Sequence, residues 1–289
     1  MKDSFSYHQA TKKLRQFFEE CGFIEIPTQS RISILAACED PATVSTYNLS
    51  GQVYPLPQTG QMWLEHELLK NPTLPGVYCI STSYRDEPNP VEGRHEKVFP
   101  MFEFESKGGF DELKKMENDL LKFLGFKEVK IVNYEDACQR FGVEILGNEQ
   151  EYRMSKEVGP AILLQKFPKR TSPFWNMKQF DTNLYNKVDV LLHGMETIGS
   201  AERSCDSSQM LENFYSVSNG SYAELLFDKF GKDRVLKELN EFLSLNFVPR
   251  FGGGIGVTRM VRALKMEGLL EESQNYQPVY NFKAMQTQI

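Results

Sequence analysis

Three consecutive glycines late in the chain, Gly252-Gly253-Gly254, followed by Ile255-Gly256-Val257-Thr258-Arg259, restrict the fold more than any other stretch. Glycine inside a strand loses much conformational entropy and offers no side chain to pack. Three in a row weaken a buried strand unless something must lie close to its backbone. A dinucleotide-binding turn needs Gly-x-Gly-x-x-Gly early in a βαβ unit, with an acidic residue about 20 positions later. Here Val257 takes the third glycine's place and too little chain follows. No Gly-Lys-Ser/Thr follows either, which excludes a P-loop. What remains is a glycine-rich strand leading into a helix N-terminus, where a flat ring can approach bare backbone and Arg259 can reach back over it. A cluster of packing glycines is the ordinary alternative.

A second arginine stands far upstream, in Tyr84-Arg85-Asp86-Glu87, followed by a polar loop to Arg94-His95. The chain then returns through Phe99-Pro100-Met101-Phe102-Glu103-Phe104-Glu105. If 77–84 pairs antiparallel with 98–105, alternation puts Ser83, Arg85 and Glu87 on one face, and Phe99, Met101, Glu103 and Glu105 share a face of the partner. Such a charged face is no ordinary core, because unpaired buried charge is costly. A salt-bridged surface sheet would satisfy the same pattern. Two guanidinium forks on separate elements suit a bent triphosphate held between them.

The third cluster runs from Asp189 to Arg203. Asp189 and Glu196 lie on successive strand-like pieces, and two such carboxylates near a triphosphate would hold magnesium through oxygen ligands. Gly194, Gly199 and Ser200 keep the backbone small, as a substrate cleft requires. Arg203 supplies a positive charge able to bind a carboxylate bidentately. A hairpin with a surface Asp–Arg pair is the plainer account.

Length and patterning set the frame. The 289 residues can bury a substantial core. Helical periodicity predicts helices over 6–21, the end of 56–70, 110–124, 134–141, 222–230, 234–245 and 256–270. Alternation predicts strands over 23–26, 77–84, 98–105, 188–192 and 196–201. One α+β domain follows, an antiparallel sheet flanked by helices over residues 1–272, with a polar tail, 273–289, as an arm or disordered segment. No stretch approaches the roughly 20 apolar residues of a membrane span, and no apolar signal region opens the chain. Five widely spaced cysteines without a CxxC pair fit a reduced, cytoplasmic setting and no structural zinc. With 33 basic against 39 acidic residues, net −6, the chain lacks the basic field of a DNA-holding protein. The short basic run Lys166 to Arg170 reads as a solvated loop.

Taken in this order and spacing, the clusters resemble the catalytic domain of class II aminoacyl-tRNA synthetases, in the aspartyl/asparaginyl branch. Tyr84 to Glu87, Arg94-His95 and Phe99 to Glu105 are similar to the family's second motif, and Gly252 to Arg259 to its third, with Thr258 where an acidic residue is usual. Thr59-Gly60-Gln61-Met62-Trp63-Leu64-Glu65 looks like the Ser-Gly-Gln-Leu-x-x-Glu segment. The first motif matches at Gly22 to Ile26 but carries Gln29 where the family has proline. Leu64, where aspartyl enzymes carry a lysine, is how asparaginyl enzymes look.

The resemblance implies ATP and Mg2+ as cofactors. Arg85, Glu87, Arg94, His95, Phe99, Gly254, Gly256 and Arg259 would bind ATP. Within that set Arg85 would take the α-phosphate, Arg94 or His95 the γ-phosphate, and Phe99 and Arg259 would sandwich adenine. Asp189 and Glu196 would hold the metal. Thr59, Gln61, Glu103, Ser200 and Arg203 would bind the amino acid, with Gln61 and Glu103 on its α-amino group. It also implies a homodimer. The first catalytic helix begins near Ser6, leaving nothing to read an anticodon. A free-standing paralogue is therefore expected, and ordinary tRNA charging is not. The leading expectation is a synthetase-type asparagine synthetase that adenylates aspartate and passes it to ammonia. The alternative is a ligase for another acceptor (a protein, modified nucleoside, carrier or metabolite) or a truncated synthetase-like protein.

Overall fold

In a computed structural model, residues 3–28, 32–35 and 41–272 are described; Gln29, Cys38 and the 273–289 tail lie outside them. The chain opens with helix α1 (Ser4–Glu20), whose first turn is capped by the Asp3 carboxylate accepting from the Ser6 N–H. Strand β1 (Ile24–Glu25), the hairpin β2 (Thr46–Leu49) and β3 (Gln52–Pro55), and helix α2 (Gln61–Lys70) follow. Next come β4 (Gly76–Tyr84), β5 (Val98–Lys107) and α3 (Phe110–Leu124), then β6 (Lys130–Asn133), α4 (Tyr134–Phe141) and α5 (Asn148–Glu157). The remainder is β7 (Ala161–Pro168), β8 (Leu184–Leu192), β9 (Met195–Arg203), helices α6 (Ser207–Ser216), α7 (Ser221–Phe230) and α8 (Lys232–Leu243), then β10 (Arg250–Gly256) and α9 (Val257–Met266).

Among the described residues one eight-stranded sheet runs β1-β4-β5-β10-β9-β8-β7-β6. Its six central strands are antiparallel, while β1 and β6 join the edges in parallel. The sequence-predicted pairing of 77–84 with 98–105 is present, with Ser83 opposite Phe99 and Cys79 opposite Glu103. The predicted strand 23–26 shrinks to two residues. The last helix stops at Met266, and Gly268 adopts a left-handed φ of 66° just beyond it. The hairpin β2–β3, strands β6 and β7, and helices α5 and α6 were not predicted. The run Ala161–Leu164 is apolar without a period, so it does not separate strand from helix.

One face of the sheet carries the main core. Phe18 on α1 packs against Tyr78, Phe102 and Phe104 with ring centroids 5.0–6.0 Å apart, and α3 and α9 complete this layer. Burying large aromatic and aliphatic side chains of this kind contributes about 1.5–3 kcal/mol each. The opposite face is covered only in part. Leu64 and Leu68 of α2 sit over β4, residues of α4 and α5 pack over β7, and α6, α7 and α8 form an aromatic cluster around Trp175. The middle of that face, floored by β5, β10 and β9, stays open. No described helix is long and apolar enough to cross a membrane.

The glycines make that floor. A Cβ at Gly252 would overlap the Glu105 carboxylate, and one at Gly254 would meet the Met101 methyl at 2.6 Å. Gly252→Ala is therefore expected to destabilise the protein by about 1–3 kcal/mol. At Gly256 the nearest neighbour is the flexible Arg259 side chain at 3.6 Å, so Gly256→Ala should stay within about 0.5 kcal/mol of the parent. Calorimetric unfolding of the two variants checks the contrast.

Candidate active site

The open middle of the sheet is a cleft of about 340 Å³ lined by residues from four parts of the chain. Arg85, Glu87, Phe99 and Met101 come from β4, β5 and the turn joining them, and Arg94 and His95 from the loop between. Glu196, Thr197 and Gly199 come from β9, and Gly254, Gly256, Thr258, Arg259 and Arg262 from β10 and α9. The Arg85 N–H donates to the Lys97 carbonyl at 2.8 Å, which extends the β4–β5 ladder by one pair and aims the guanidinium along the cleft, 5.5 Å from the Phe99 ring. Arg259 opens α9. Its Nη1 donates to the Glu196 carbonyl at 2.6 Å and its Nη2 to the Arg94 carbonyl at 3.2 Å. Burial lowers its pKa, with Arg94 and Arg85 adding repulsion, so an anion entering here would relieve crowded positive charge.

Not every polar group is free to meet a ligand. Arg94 donates to Glu151 and to the Gly194 carbonyl, and His95 Nδ1 lies 2.9 Å from Glu87 Oε2. Thr258 Oγ1 donates to Glu96. Arg262 lies one helical turn beyond Arg259 and lines the same cleft, although sequence reasoning passed it over. The i, i+3 spacing was the available signal.

Asp189 and Glu196 converge above Gly199, where a Cβ would stand 2.9 Å from Glu196 Oε1 and 3.7 Å from Asp189 Oδ1. A register shift makes this possible: Val190 pairs with Ile198 but Leu191 with Glu196, so Thr197 is an extra residue on β9. Both Glu196 and Thr197 thereby border the cleft, as bulges commonly re-aim side chains. Asp189 is pushed up to about 7 by burial, against the pull of Lys187 Nζ at 2.8 Å. Its Oδ1 is buried with no hydrogen-bond partner among the described residues. That orphaned acceptor beside an open carboxylate fits a hard cation such as Mg2+ drawing its other ligands from phosphate and water. No described cluster of three or more His, Cys, Asp or Glu would cage a metal alone.

Beside the cleft a smaller cavity of about 220 Å³ is bordered by Gln61, Arg85, Met177, Lys187, Glu196, Gly199, Ser200 and Arg203. Here the geometry corrects several sequence expectations. Arg203 is not a lone charge: it is 1% exposed and donates to both Glu105 oxygens at 3.2 Å and to Gln61 Oε1 at 3.0 Å. Gln61 therefore keeps its Nε2 for other acceptors, and that group is buried and without a partner among the described residues. A donor cannot take an ammonium, which offers only donors itself. Glu103 accepts from Thr59 Oγ1, Ser81 Oγ and the Gly60 N–H, so neither it nor Thr59 is placed to receive an α-amino group. Ser200 contributes only its backbone, because strand alternation points its hydroxyl to the helix-covered face, onto Glu117 at 2.6 Å.

The family model for class II tRNA synthetases (D, K and N) matches residues 3–274. The chain is 25% identical over 239 residues to the cytoplasmic asparagine–tRNA ligase of Dictyostelium discoideum, covering 68% of this chain and 36% of that protein. Asparaginyl-tRNA synthetase from Pyrococcus horikoshii, in a structure with asparaginyl-adenylate, superposes with a TM-score of 0.72 at 19% identity, over 90% of this chain and 64% of the other. An aspartyl-tRNA synthetase structure from Leishmania major Friedlin, described as putative, gives 0.70 at 16% identity, over 94% and 65%. The chain thus spans about a third of its curated relative and under two thirds of these two structures.

The buried acid behind the site yields a test. Burial pushes the Glu117 carboxyl from 4.5 up to about 8. Across that window the folded state keeps a proton that the unfolded chain has released, so this group's contribution to stability falls as pH rises. Glu117→Gln is expected to flatten part of the decline in Tm between about pH 5 and 8. Thermal melts at several pH values measure it, and parallel slopes would refute it.

Proposed function

Because this chain belongs to the class II tRNA synthetases of the D, K and N group, we propose that it uses ATP to adenylate aspartate and passes the aspartyl group to ammonia. The observation that carries the proposal is that Arg85 and Arg259, 174 positions apart by their numbers (259 − 85), line one cleft with Phe99 and the bare backbone of Gly254 and Gly256. A planar base suits the glycine floor beside Phe99, and the triphosphate suits the guanidinium groups.

For asparagine to form, the side-chain carboxylate is the one activated. One of its oxygens attacks the α-phosphorus in line, the bond to the β-phosphate breaks, and pyrophosphate leaves. Arg85 and Arg259 stabilise the charge that develops on the phosphoryl oxygens, and no protein nucleophile is required. Asp189 and Glu196 would hold Mg2+, which would supply further neutralisation of phosphate charge. Ammonia then attacks the acyl carbon, AMP departs with the bonding pair, and the surplus proton passes to solvent. The net charge of −6 favours a small acceptor over a polyanion. By family likeness the protein acts as a homodimer.

Incubation with ATP, aspartate and ammonium should give AMP, pyrophosphate and asparagine in equal amounts by mass spectrometry. Aspartate-dependent ATP–pyrophosphate exchange without asparagine would point instead to another acceptor, and no exchange with any amino acid would overturn adenylation. Arg85→Ala and Arg259→Ala should each lower the exchange rate by about 10²–10³-fold.

A further inference from the structure

Arg262 lines the cleft but has no part in the adenylation scheme. It stands on α9 three residues after Arg259, so the two side chains share a helix face about one turn apart. Among the described residues its guanidinium meets no carboxylate, and its hydrogen bond is a long one, Nη2 donating to the His193 carbonyl at 3.4 Å. Its Nη1 is buried and has no partner among the described residues. A buried donor without an acceptor is costly, and a ligand oxygen placed there would remove the cost.

The turn between β8 and β9 sets the place of this cation. Its two residues, His193 and Gly194, have φ of 49° and 74°, the pair of positive values that a tight hairpin turn requires. A Cβ at Gly194 would meet the Tyr152 backbone at 2.7 Å, so the turn sits hard against α5. Its neighbouring carbonyls accept from different arginines: His193 from Arg262, and Gly194 from Arg94 Nη1 at 3.2 Å. Arg94 therefore lies beside Arg262, with Glu151 of α5 answering its charge. The Arg94 Nε is likewise buried without a partner among the described residues. Two guanidinium groups, each with an N–H to spare, thus meet where the turn borders the cleft.

We propose that Arg262, beside Arg94, binds the diphosphate end of ATP, the β- and γ-phosphates that leave together as pyrophosphate. A flat uncharged base suits Phe99 and the glycines, whereas paired guanidinium forks suit a group with several negative oxygens. The ligand class is a diphosphate, free or at the end of a nucleotide. Arg262 makes and breaks no bond; it holds that group and answers its charge. The inference takes from the adenylation reading only that ATP enters this cleft, and it assigns a residue to the far end of that ligand.

Calorimetric titration with AMP, ATP and pyrophosphate in one magnesium buffer tests it, because AMP lacks the diphosphate and pyrophosphate lacks the nucleoside. Arg262→Met should weaken ATP and pyrophosphate by about tenfold or more and leave AMP within about twofold of the parent. Arg262→Lys, which keeps the charge without the planar fork, should recover part of the loss. In ATP–pyrophosphate exchange the Met variant should raise KM for ATP and for pyrophosphate and leave KM for aspartate unchanged. A role confined to holding the β8–β9 turn would lower the Tm of the free protein and weaken AMP and ATP alike. That result, ATP binding untouched in Arg262→Met, or a parent that binds AMP as tightly as ATP would each overturn the proposal. Arg262→Gln replaces the Met variant if that one does not fold. Exchange absent with every amino acid, while Arg262→Met still weakens ATP and spares AMP, sinks adenylation and leaves this inference standing. Exchange present with AMP and ATP weakened alike sinks this inference alone.

Discussion

Four buried ions tie the sheet to its covering helix. Glu65 of α2 accepts from Arg250 at 2.8 and 3.1 Å and lies 3.6 Å from Arg203, which is also paired with Glu105. All four side chains are at most 1% exposed. Arg250 and Arg203 are direct cross-strand partners, an arrangement that repels unless carboxylates are interleaved. Removing one member would leave an uncompensated buried charge, at a cost of about 3–5 kcal/mol. The network therefore obliges α2, β5, β9 and β10 to meet in one register. It also explains Gly252, where a Cβ would overlap the Glu105 carboxylate.

From that register the site follows. With β5, β10 and β9 locked, Glu103, Gly254 and Gly199 align across neighbouring strands on one face, and bare backbone becomes a floor. Met101 and Arg85 reach it from one side, while Arg259 reaches it from the helix that β10 leads into. The opposite face of the same strands is an aromatic and aliphatic core that fixes their curvature and spacing. Strand β9 holds Glu196 and Thr197, helix α9 holds Thr258, Arg259 and Arg262, and the segment between β4 and β5 brings Arg85, Glu87, Arg94 and His95 to the same floor.

Much of this was legible because it is local. Helices α3 and α4 match their predicted bounds, since an amphipathic repeat ends at Gly125 and Gly142, both in left-handed conformation at the C-terminus. The β4–β5 pair followed from two strand-like runs on either side of one polar loop. Alternation would also have excluded Ser200, which by parity opposes Arg203, yet the residue was grouped with it for its size. Strands β6 and β7 were not legible, because their partners are non-local and their apolar residues have no diagnostic period.

The sequence by itself determined the charge inventory, the glycine run and the alternation that sorts Arg85, Glu103 and Glu105 onto one face, because these depend on residue type and backbone period alone. Tertiary structure decided which of those groups face a ligand and which face one another. Parity alone would send Glu196 to the opposite face from Gly199; the extra residue at Thr197 brings it to the cleft. Arg203, Gln61 and Glu103 look alike as polar candidates in the chain. Their roles separated only when packing placed Glu105, Arg203 and Thr59 within hydrogen-bonding reach, since a buried donor or acceptor is assigned by its nearest complement in space.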